Sequence, residues 1–286
     1  MIGARRESLT EMLHCSSLST VRLNQINRYW NKKAKNLGFD PAATMKDSNL
    51  RELEIQTILS CLRKKDVLVD IGGGNGWATL RYAQKCRYVY LFDRSLEMVK
   101  AARKRIRESG LLNIEANPCD LHDLPKQIPK EVTVINCTRL LINLGSHKNI
   151  QKGLRNLIQS GPRHGRLILT EGIDSHFTTL NQWRIACGLE PIPLNWHNTL
   201  LDKSKLERTL KKSFVRSKKI HYGVYYLLSR ILHPLLVHPE PPQFGARIND
   251  FAALISRFTP AEVEKDLEKI SLLTTYICSD RKIRKP

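Results

Sequence analysis

The sequence lacks the features that mark disulfide-rich, zinc-binding or membrane-spanning chains. Its seven cysteines are an odd number, are spread over the 286 residues and include no Cys-x-x-Cys pair, so neither a disulfide framework nor a zinc site is predicted. No apolar run is long enough for a transmembrane segment, and none follows the arginines near the N-terminus as a signal peptide would require. We therefore expect a cytoplasmic protein without a bound metal ion.

Acidic residues are also few relative to basic ones. The chain has 47 Lys and Arg against 27 Asp and Glu, which gives a net charge of +20. Such a surface can attract nucleic acid, an anionic membrane or acidic substrates. The basic residues are dispersed over many segments, however, which is typical of a solvated surface, so a nucleic-acid partner is the less favoured alternative.

The apolar stretch of residues 224–237 needs separate attention because it is the main candidate for membrane contact. It is interrupted by Arg230, His233 and Pro234, so it is too short and too charged to span a bilayer. We expect it to pack as a cap over a pocket, with weak association with a membrane surface as the alternative. The oligomeric state is not predicted.

A glycine loop between a predicted strand and a predicted helix organises the rest of the chain. Residues 67–71 are apolar and β-branched with Asp70 near the end, which indicates a strand buried on both faces of a parallel sheet. Alternate glycines in residues 72–76 allow positive φ and close approach of a ligand, and a helix begins at Trp77. A dinucleotide fingerprint has a third glycine where Trp77 stands, so a nicotinamide oxidoreductase is an alternative only.

Further strands alternate with helices after this loop. Four apolar segments predict parallel strands, and two later segments predict the last strands of the sheet: residues 88–93, 114–121, 132–137 and 166–172, then 214–222 and 274–280. Pro118 cannot donate a ladder hydrogen bond, so its strand should lie at an edge. Five strands in register with one glycine loop predict a doubly wound α/β sheet.

The alternating glycines behind Asp70 resemble motif I of the class I S-adenosylmethionine-dependent methyltransferases. This resemblance implies a Rossmann-like sheet of seven strands, mostly parallel with the last strand antiparallel, and S-adenosyl-L-methionine as the cofactor. It implies that Asp93 accepts hydrogen bonds from both ribose hydroxyls and that Asp120 and Leu121 meet the adenine. The full set of implied cofactor contacts is Thr44, Arg51, Asp70, Gly72, Gly73, Gly74, Asp93, Arg94, Asp120, Leu121, Asn136 and Thr138.

A narrower resemblance, to a bacterial subgroup similar to small-molecule and glycan O-methyltransferases, covers roughly residues 29–280. It rests on short motifs: Thr138-Arg139 with Asn143-Leu144, Asn181 with Arg184, Trp196-His197-Asn198, and Tyr225-Tyr226 with Ser229-Arg230. We predict an N-terminal helical arm over residues 1–46, in which the chain turns from Tyr29-Trp30 to Pro41 because proline cannot continue a helix, and a methyltransferase domain over 47–286. Helical cap insertions near 174–205 and 223–272 are expected to build the substrate pocket.

The predicted reaction is methyl transfer to a hydroxyl, or another nucleophile, of a small polar metabolite or saccharide. His197 is the first candidate base because an imidazole titrates near neutral pH, and Glu171 at the end of a strand is the second. Arg139 or Arg184 would hold an anionic substrate, and Trp196 and Asn198 would complete its site. A methyltransferase acting on RNA or protein through the basic surface is the main alternative.

Overall fold

The computed structural model describes residues 9–282, with side chains described from residue 21 onward except that of Pro125. Its centre is one sheet of seven strands in the order β3-β2-β1-β4-β5-β7-β6. The strands are β1 (Val67–Ile71), β2 (Tyr88–Asp93), β3 (Ile114–Pro118), β4 (Val134–Thr138), β5 (Arg166–Gly172), β6 (Phe214–His221) and β7 (Leu273–Arg281).

The pairing of the strands confirms the predicted fold class. β1 to β5 pair in parallel, and β7 is antiparallel to both β5 and β6. The edge position predicted for the strand that ends at Pro118 is confirmed, since β3 pairs with β2 alone. β4 begins two residues later than predicted.

Helices cover both faces of this sheet. In chain order they are α1 (Leu9–Leu37), α2 (Ser48–Ser60), α3 (Trp77–Ala83), α4 (Leu96–Ser109), α5 (Leu124–Gln127), α6 (His147–Ser160), α7 (Asp174–Ala186), α8 (Lys203–Ser213), α9 (Gly223–Leu227), α10 (His233–Val237), α11 (Arg247–Phe258) and α12 (Ala261–Asp266). A π-helical segment, Leu228–Leu232, joins α9 to α10. No helix in residues 9–282 is long and apolar enough to cross a membrane.

The strand β1 shows why the sheet needs helices on both faces. Its five residues are all buried, and they alternate between two apolar clusters because successive side chains point to opposite faces. Val67 and Val69 pack in one cluster, whereas Leu68 packs in another with Ile55 and Ile58 of α2. α2 thus lies against one face of β1.

The N-terminal part of the chain departs from the prediction. We expected the chain to turn from residues 29–30 onward, but α1 continues to Leu37 and the turn falls at Gly38, whose φ is +46°. The helix persists because Trp30, Ala34 and Leu37 share an apolar face that packs near Met98 of α4. The first eight residues of the predicted arm lie outside the described residues.

The chain after β6 returns to the sheet as a helical cap. Tyr225, Ala252 and Leu180 pack in one apolar cluster with Leu50 and Leu53 of α2. β5 and β6 run in the same direction, since both are antiparallel to β7, so α7 and α9 follow strands that end at the same edge. That edge, where the parallel strands end, is the ordinary location of ligand sites in open α/β sheets.

Candidate functional site

A cavity of about 160 Å³ lies at the carboxyl ends of β1, β2 and β4. Its wall contains all twelve residues predicted to contact the cofactor, together with Arg139 from the predicted substrate set. These residues come from segments far apart in sequence. The sheet topology brings them together because β1 has β2 on one side and β4 on the other.

The glycine loop is built from residues that tolerate unusual backbone angles. Gly72 and Gly74 have φ values of +78° and +58°, a region that side chains disfavour. A Cβ atom added at Gly73 would lie 2.6 Å from Cγ of the buried Leu91, and one at Gly74 would lie 3.0 Å from Cγ2 of Thr44. The loop therefore needs glycine both for conformation and for space.

Asp93 is anchored at the end of β2 by backbone donors. Its Oδ2 accepts the N–H of Gly74 at 2.9 Å, and its Oδ1 accepts the N–H of Ser95 at 2.8 Å. A carboxylate has about four acceptor positions, so each oxygen can accept a further hydrogen bond from a ligand. Burial raises the pKa of Asp93 to about 6. This value is still below neutral pH, so the side chain is mostly ionised there.

Asp70 ties the glycine loop to the neighbouring strand. Its two oxygens accept hydrogen bonds from the hydroxyl of Thr79 at 2.6 Å and from the amide of Asn136 at 2.8 Å. Burial raises its pKa, while these two donors favour the ionised form. Asp70 therefore fixes the end of β1 relative to α3 and β4, and Asn136 is held with its amide on this carboxylate.

The adenine end of the predicted site carries a charge pair. Arg94 Nε lies 3.1 Å from Asp120 Oδ2, and the backbone N–H of His122 donates to Asp120 Oδ1 at 2.9 Å. Leu121, the residue between Asp120 and His122, is buried in the wall of the cavity. This segment thus combines a positioned carboxylate with an apolar contact surface.

Arg139 joins β4 to the segment before the sheet. It has a φ of +53°, an unusual angle for a residue other than glycine. Its side chain donates to Glu54 Oε1 at 3.1 Å and to the carbonyl of Thr44 at 3.2 Å. Glu54 is almost fully buried, and burial raises its pKa while Arg139 opposes that rise. Arg51 donates to the carbonyl of the next residue, Met45, at 2.5 Å, so two arginines hold the backbone at Thr44 and Met45.

The two predicted base residues do not line this cavity. His197 is buried, stacks on Tyr29 at 4.7 Å between ring centres, and shares its Nδ1 with Asn143 Oδ1 at 3.0 Å. Asn143 does line the cavity and uses its amide nitrogen to donate to the carbonyl of Arg139, so its oxygen accepts and His197 Nδ1 is the donor. Burial lowers the pKa of His197, which leaves a neutral ring at neutral pH.

Glu171 is fully buried at the end of β5. It accepts the backbone N–H groups of Leu141 at 2.7 Å and Ile142 at 3.2 Å. Burial raises its pKa to about 8, and these donors oppose the rise. Its observed contacts hold the turn that follows β4.

The remaining predicted substrate residues lie elsewhere. Trp196 is 53 % exposed, and its carbonyl accepts a hydrogen bond from Arg22 at 2.9 Å. Asn198 follows His197 and is partly buried, outside the cavity wall. Arg184 lines a second cavity, described below. Within the described residues, no group of three or more His, Cys, Asp or Glu is arranged to hold a metal ion.

One part of the wall was missed from the sequence. α1 contributes four residues to the cavity: Leu23, Ile26, Asn27 and Trp30. The end of α1 is also tied to the glycine loop, since Asn75 donates to the carbonyl of Gly38 at 3.0 Å. The last three of these residues follow Leu23 by three, four and seven positions, which places all four on one face of a helix. This spacing is the feature of the sequence that could have indicated their shared position.

Comparison with known proteins agrees with this geometry. Residues 68–161 match a family model described as a methyltransferase domain. Two curated relatives are probable cobalt-precorrin-6B C(15)-methyltransferases (decarboxylating). The protein of Methanothermobacter thermautotrophicus is 29% identical over 123 residues, which is 41% of this chain and 60% of the relative. That of Methanococcus vannielii is 24% identical over 109 residues, 38% of this chain and 59% of the relative. The chain therefore spans about three fifths of the length of these relatives.

Solved structures share the fold at low identity. Haemonchus contortus phosphoethanolamine N-methyltransferase 1, solved with phosphoethanolamine and S-adenosylhomocysteine, has a TM-score of 0.59 at 16% identity, covering 94% of this chain and 51% of its own. Geranyl diphosphate methyltransferase, solved with GPP and sinefungin, has a TM-score of 0.54 at 13% identity, and the match covers 92% of this chain and 99% of that one.

The seven-stranded order with an antiparallel β7, and a glycine-loop cavity at the strand ends, define the class I methyltransferase fold. Residues 68–161 match a methyltransferase domain as well, so the fold and this central part of the chain are similar to those of the class I S-adenosylmethionine-dependent methyltransferases. The structure does not favour a nicotinamide-dependent oxidoreductase, because the dinucleotide fold has the strand order 3-2-1-4-5-6 and a glycine where Trp77 stands.

Proposed function

We propose that this chain transfers the methyl group of S-adenosyl-L-methionine to a hydroxyl, or another nucleophile, of a small polar metabolite or saccharide. The observation that carries this proposal is the joint placement of the glycine loop, Asp93 and Asp120 around one cavity. The finer points, namely the acceptor and the base, are proposals for experiment.

The residues present fit the cofactor. The ionised Asp93 has free acceptor positions for two ribose hydroxyls, and the glycine loop leaves backbone exposed without side chains. Asp120 and Leu121 would meet the adenine, and Arg51 is also part of the wall. When bound, the cofactor supplies an activated methyl group, so the protein mainly has to orient the acceptor in line and accept its proton.

A small acceptor is favoured by the way in which the cavity is walled. The strand ends, α2 and α1 all contribute, and α1 adds Leu23, Ile26 and Trp30 as apolar side chains. A polymer substrate would require a broad, open basic groove at this position. The RNA or protein alternative therefore rests only on the dispersed net charge of +20.

His197 remains the proposed base on the condition that its Nε2 reaches the acceptor, since its Nδ1 is bound to Asn143; a neutral imidazole can accept a proton there. Its contact with Asn143 allows another role, which is to hold that side chain against the cavity. For Glu171, we propose support of the turn after β4, since two backbone N–H groups occupy its oxygens.

The cofactor proposal is tested by calorimetric titration with S-adenosylmethionine and with S-adenosylhomocysteine. Replacing Asp93 by Asn keeps the shape but removes the charge from two ligand hydrogen bonds, so we expect affinity to fall by about 10- to 100-fold. Asp123→Asn is the matched control, since Asp123 is exposed and its side chain caps no N–H of α5. Absence of binding by the unmodified chain would overturn the proposal.

The acceptor is sought by following S-adenosylhomocysteine release with hydroxylated metabolites, saccharides and RNA in parallel. A base role for His197 predicts that His197→Gln lowers kcat and removes the acidic limb of the kcat profile against pH. If kcat falls by the same factor at every pH, His197 positions Asn143 instead. Turnover with RNA alone, weakening steeply with salt, would favour the alternative function.

A further inference from the structure

A second cavity, of about 170 Å³, lies within the helical cap. Its wall is formed by residues of α7, the π-helical segment, α10, α11 and the loops between them: Arg184, Ile192, Ser229, Arg230, His233, Pro234, Pro242, Gln243, Phe244 and Asn249. This set contains two arginines and a histidine but no aspartate or glutamate. The wall therefore carries positive charge without an acid of its own.

Arg184 is a buried cation that the described residues leave without a carboxylate. Only 9% of the residue is exposed. Its Nε donates to the carbonyl of Glu190 at 2.9 Å, and its Nη1 donates to the carbonyl of Arg230. Among residues 21–282, no hydrogen bond involves its Nη2, and no acid lies within ion-pair distance. Burial and the nearby Arg230 both lower its pKa, as expected for a buried charge without an anion.

Arg230 is held rigidly beside it. Its guanidinium pairs with Asp47 and lies over the rings of Phe244 and Tyr225, at 5.1 and 5.7 Å from their centres. Asp47 does not line the cavity. A guanidinium fixed in this way keeps its remaining N–H groups in a set direction at little further entropic cost.

His233 offers one ring nitrogen to this space. Asn249 donates through its amide nitrogen to the carbonyls of Gln243 and Phe244, both at 3.0 Å, so its oxygen accepts from His233 Nδ1 at 3.1 Å. The proton of a neutral His233 is therefore on Nδ1. Its Nε2 can accept a hydrogen bond, or donate one when the ring is protonated.

We propose that this cavity binds the oxyanion group, carboxylate or phosphate, of a small organic acid whose body is apolar. The guanidinium of Arg184 provides the charge that no carboxylate compensates, and Arg230, although paired with Asp47, adds fixed N–H groups; such groups suit planar or tetrahedral oxyanions. Ile192, Pro234 and Phe244 provide apolar surface for the rest of the molecule. A buried arginine without an anion is costly, and a bound oxyanion would offset that cost.

The position of this cavity relates it to the first one. Asp47 caps α2 by accepting the N–H of Leu50 at 3.0 Å, and it also pairs with Arg230. Arg51 and Glu54, farther along the same helix, line the first cavity. The N-terminal half of α2 is thus linked to both cavities, but the proposed anion site does not depend on methyl transfer.

The test is calorimetric titration of the full chain with sodium benzoate and with inorganic phosphate, using benzamide as the uncharged probe. We expect at least one anion to bind and benzamide to bind at least tenfold more weakly. Gln243→Glu places a carboxylate in the wall from an exposed loop residue, so it should weaken anion binding at least tenfold without affecting folding. Arg184→Gln should also weaken anion binding at least tenfold. If Arg184→Gln does not fold, the result with Gln243→Glu tests the proposal alone.

Two controls separate this site from other sources of anion binding. Arg208→Gln removes an exposed cation of α8 and should leave affinity within twofold. Saturation with S-adenosylhomocysteine should also leave it within twofold, since the anion would then not occupy the first cavity. Equal weakening by Arg208→Gln, competition by S-adenosylhomocysteine, equal binding of benzamide, or no binding of either anion would each overturn the proposal.

Discussion

The two cavities beside the first turn of α2 differ in how their walls are made. The first is formed largely where strands end, and it contains the carboxyl groups of Glu54, Asp70, Asp93 and Asp120. The second is formed by helices and loops of the cap, and no carboxyl group lines it. The first therefore suits hydroxyl and amino donors of a ligand, whereas the second suits an oxyanion.

This difference explains why one cavity could be predicted from the sequence and the other could not. Gly72, Gly73 and Gly74 are consecutive, and Asp93 and Asp120 each follow an apolar run, so the sheet topology alone brings them to one edge. Arg184 and Arg230 are 46 positions apart, and both lie in helical segments and not at strand ends. Their meeting depends on the packing of helices against α2, which periodicity does not reveal.

The same reasoning covers the N-terminal arm and the predicted base. Trp30 was assigned to a turn because Pro41 follows it, but packing near Met98 extends α1 to Leu37. His197 was expected in the pocket because it lies in the segment predicted to build it, whereas in the structure it does not line the cavity and contacts Asn143, which does. Tertiary contacts, not local pattern, decide such positions.

The largest expected effect concerns the residue that joins the two regions. Asp47→Ala removes the partner of the buried Arg230, a hydrogen bond from Tyr225 at 2.7 Å and the cap of α2. We expect a loss of about 3–5 kcal/mol in the free energy of unfolding, since a buried charge is left unpaired. Denaturant titration measures it.

Asp202→Ala is the matched control for that loss. Asp202 caps α8 through the N–H of Lys205 at 2.9 Å but has no buried partner. Its removal should cost only about 1 kcal/mol. If both substitutions cost the same, the pairing of Asp47 with Arg230 adds nothing to stability beyond the helix cap.

The next largest effect is the loss of stability when alanine replaces Gly72 of the glycine loop, compared with Gly110 at the end of α4. Gly72 and Gly110 both have positive φ, +78° and +69°. A Cβ at Gly72 would lie 3.1 Å from Cβ of Leu140, whereas one at Gly110 would have no neighbour within 4 Å. Gly72→Ala should therefore cost about 2–3 kcal/mol of stability and Gly110→Ala about 1 kcal/mol.

Titration with S-adenosylhomocysteine completes this comparison. Only Gly72→Ala should weaken binding, because Gly110 is not part of the cavity. Equal binding losses in both variants would mean that the loop has no special role in holding the ligand.

The smallest effect is the pH dependence of cofactor affinity. Burial raises the pKa of Asp93 to about 6, and only the ionised form accepts both hydroxyl donors. Affinity is therefore full above that pKa and is lost as the pH falls through it. We expect binding about tenfold weaker at pH 5 than at pH 7.5, measured by titration at each pH.

Asp93→Asn should flatten this profile, since an amide does not titrate in that range. A profile that keeps its slope in the variant would assign the titration to another group. The second cavity contains no carboxyl group, so binding of benzoate, which itself stays mostly ionised, should show no loss there between pH 7.5 and 5.

The wall that α1 provides has a consequence for the timing of turnover. Arg22 and Tyr29 of this helix contact Trp196 and His197 of the cap, while Asn31 contacts Ser95 next to Asp93. A ligand that leaves past this wall requires these contacts to break first. Release of a ligand by this route would therefore be coupled to detachment of α1, a conformational step of the kind that limits turnover in many enzymes.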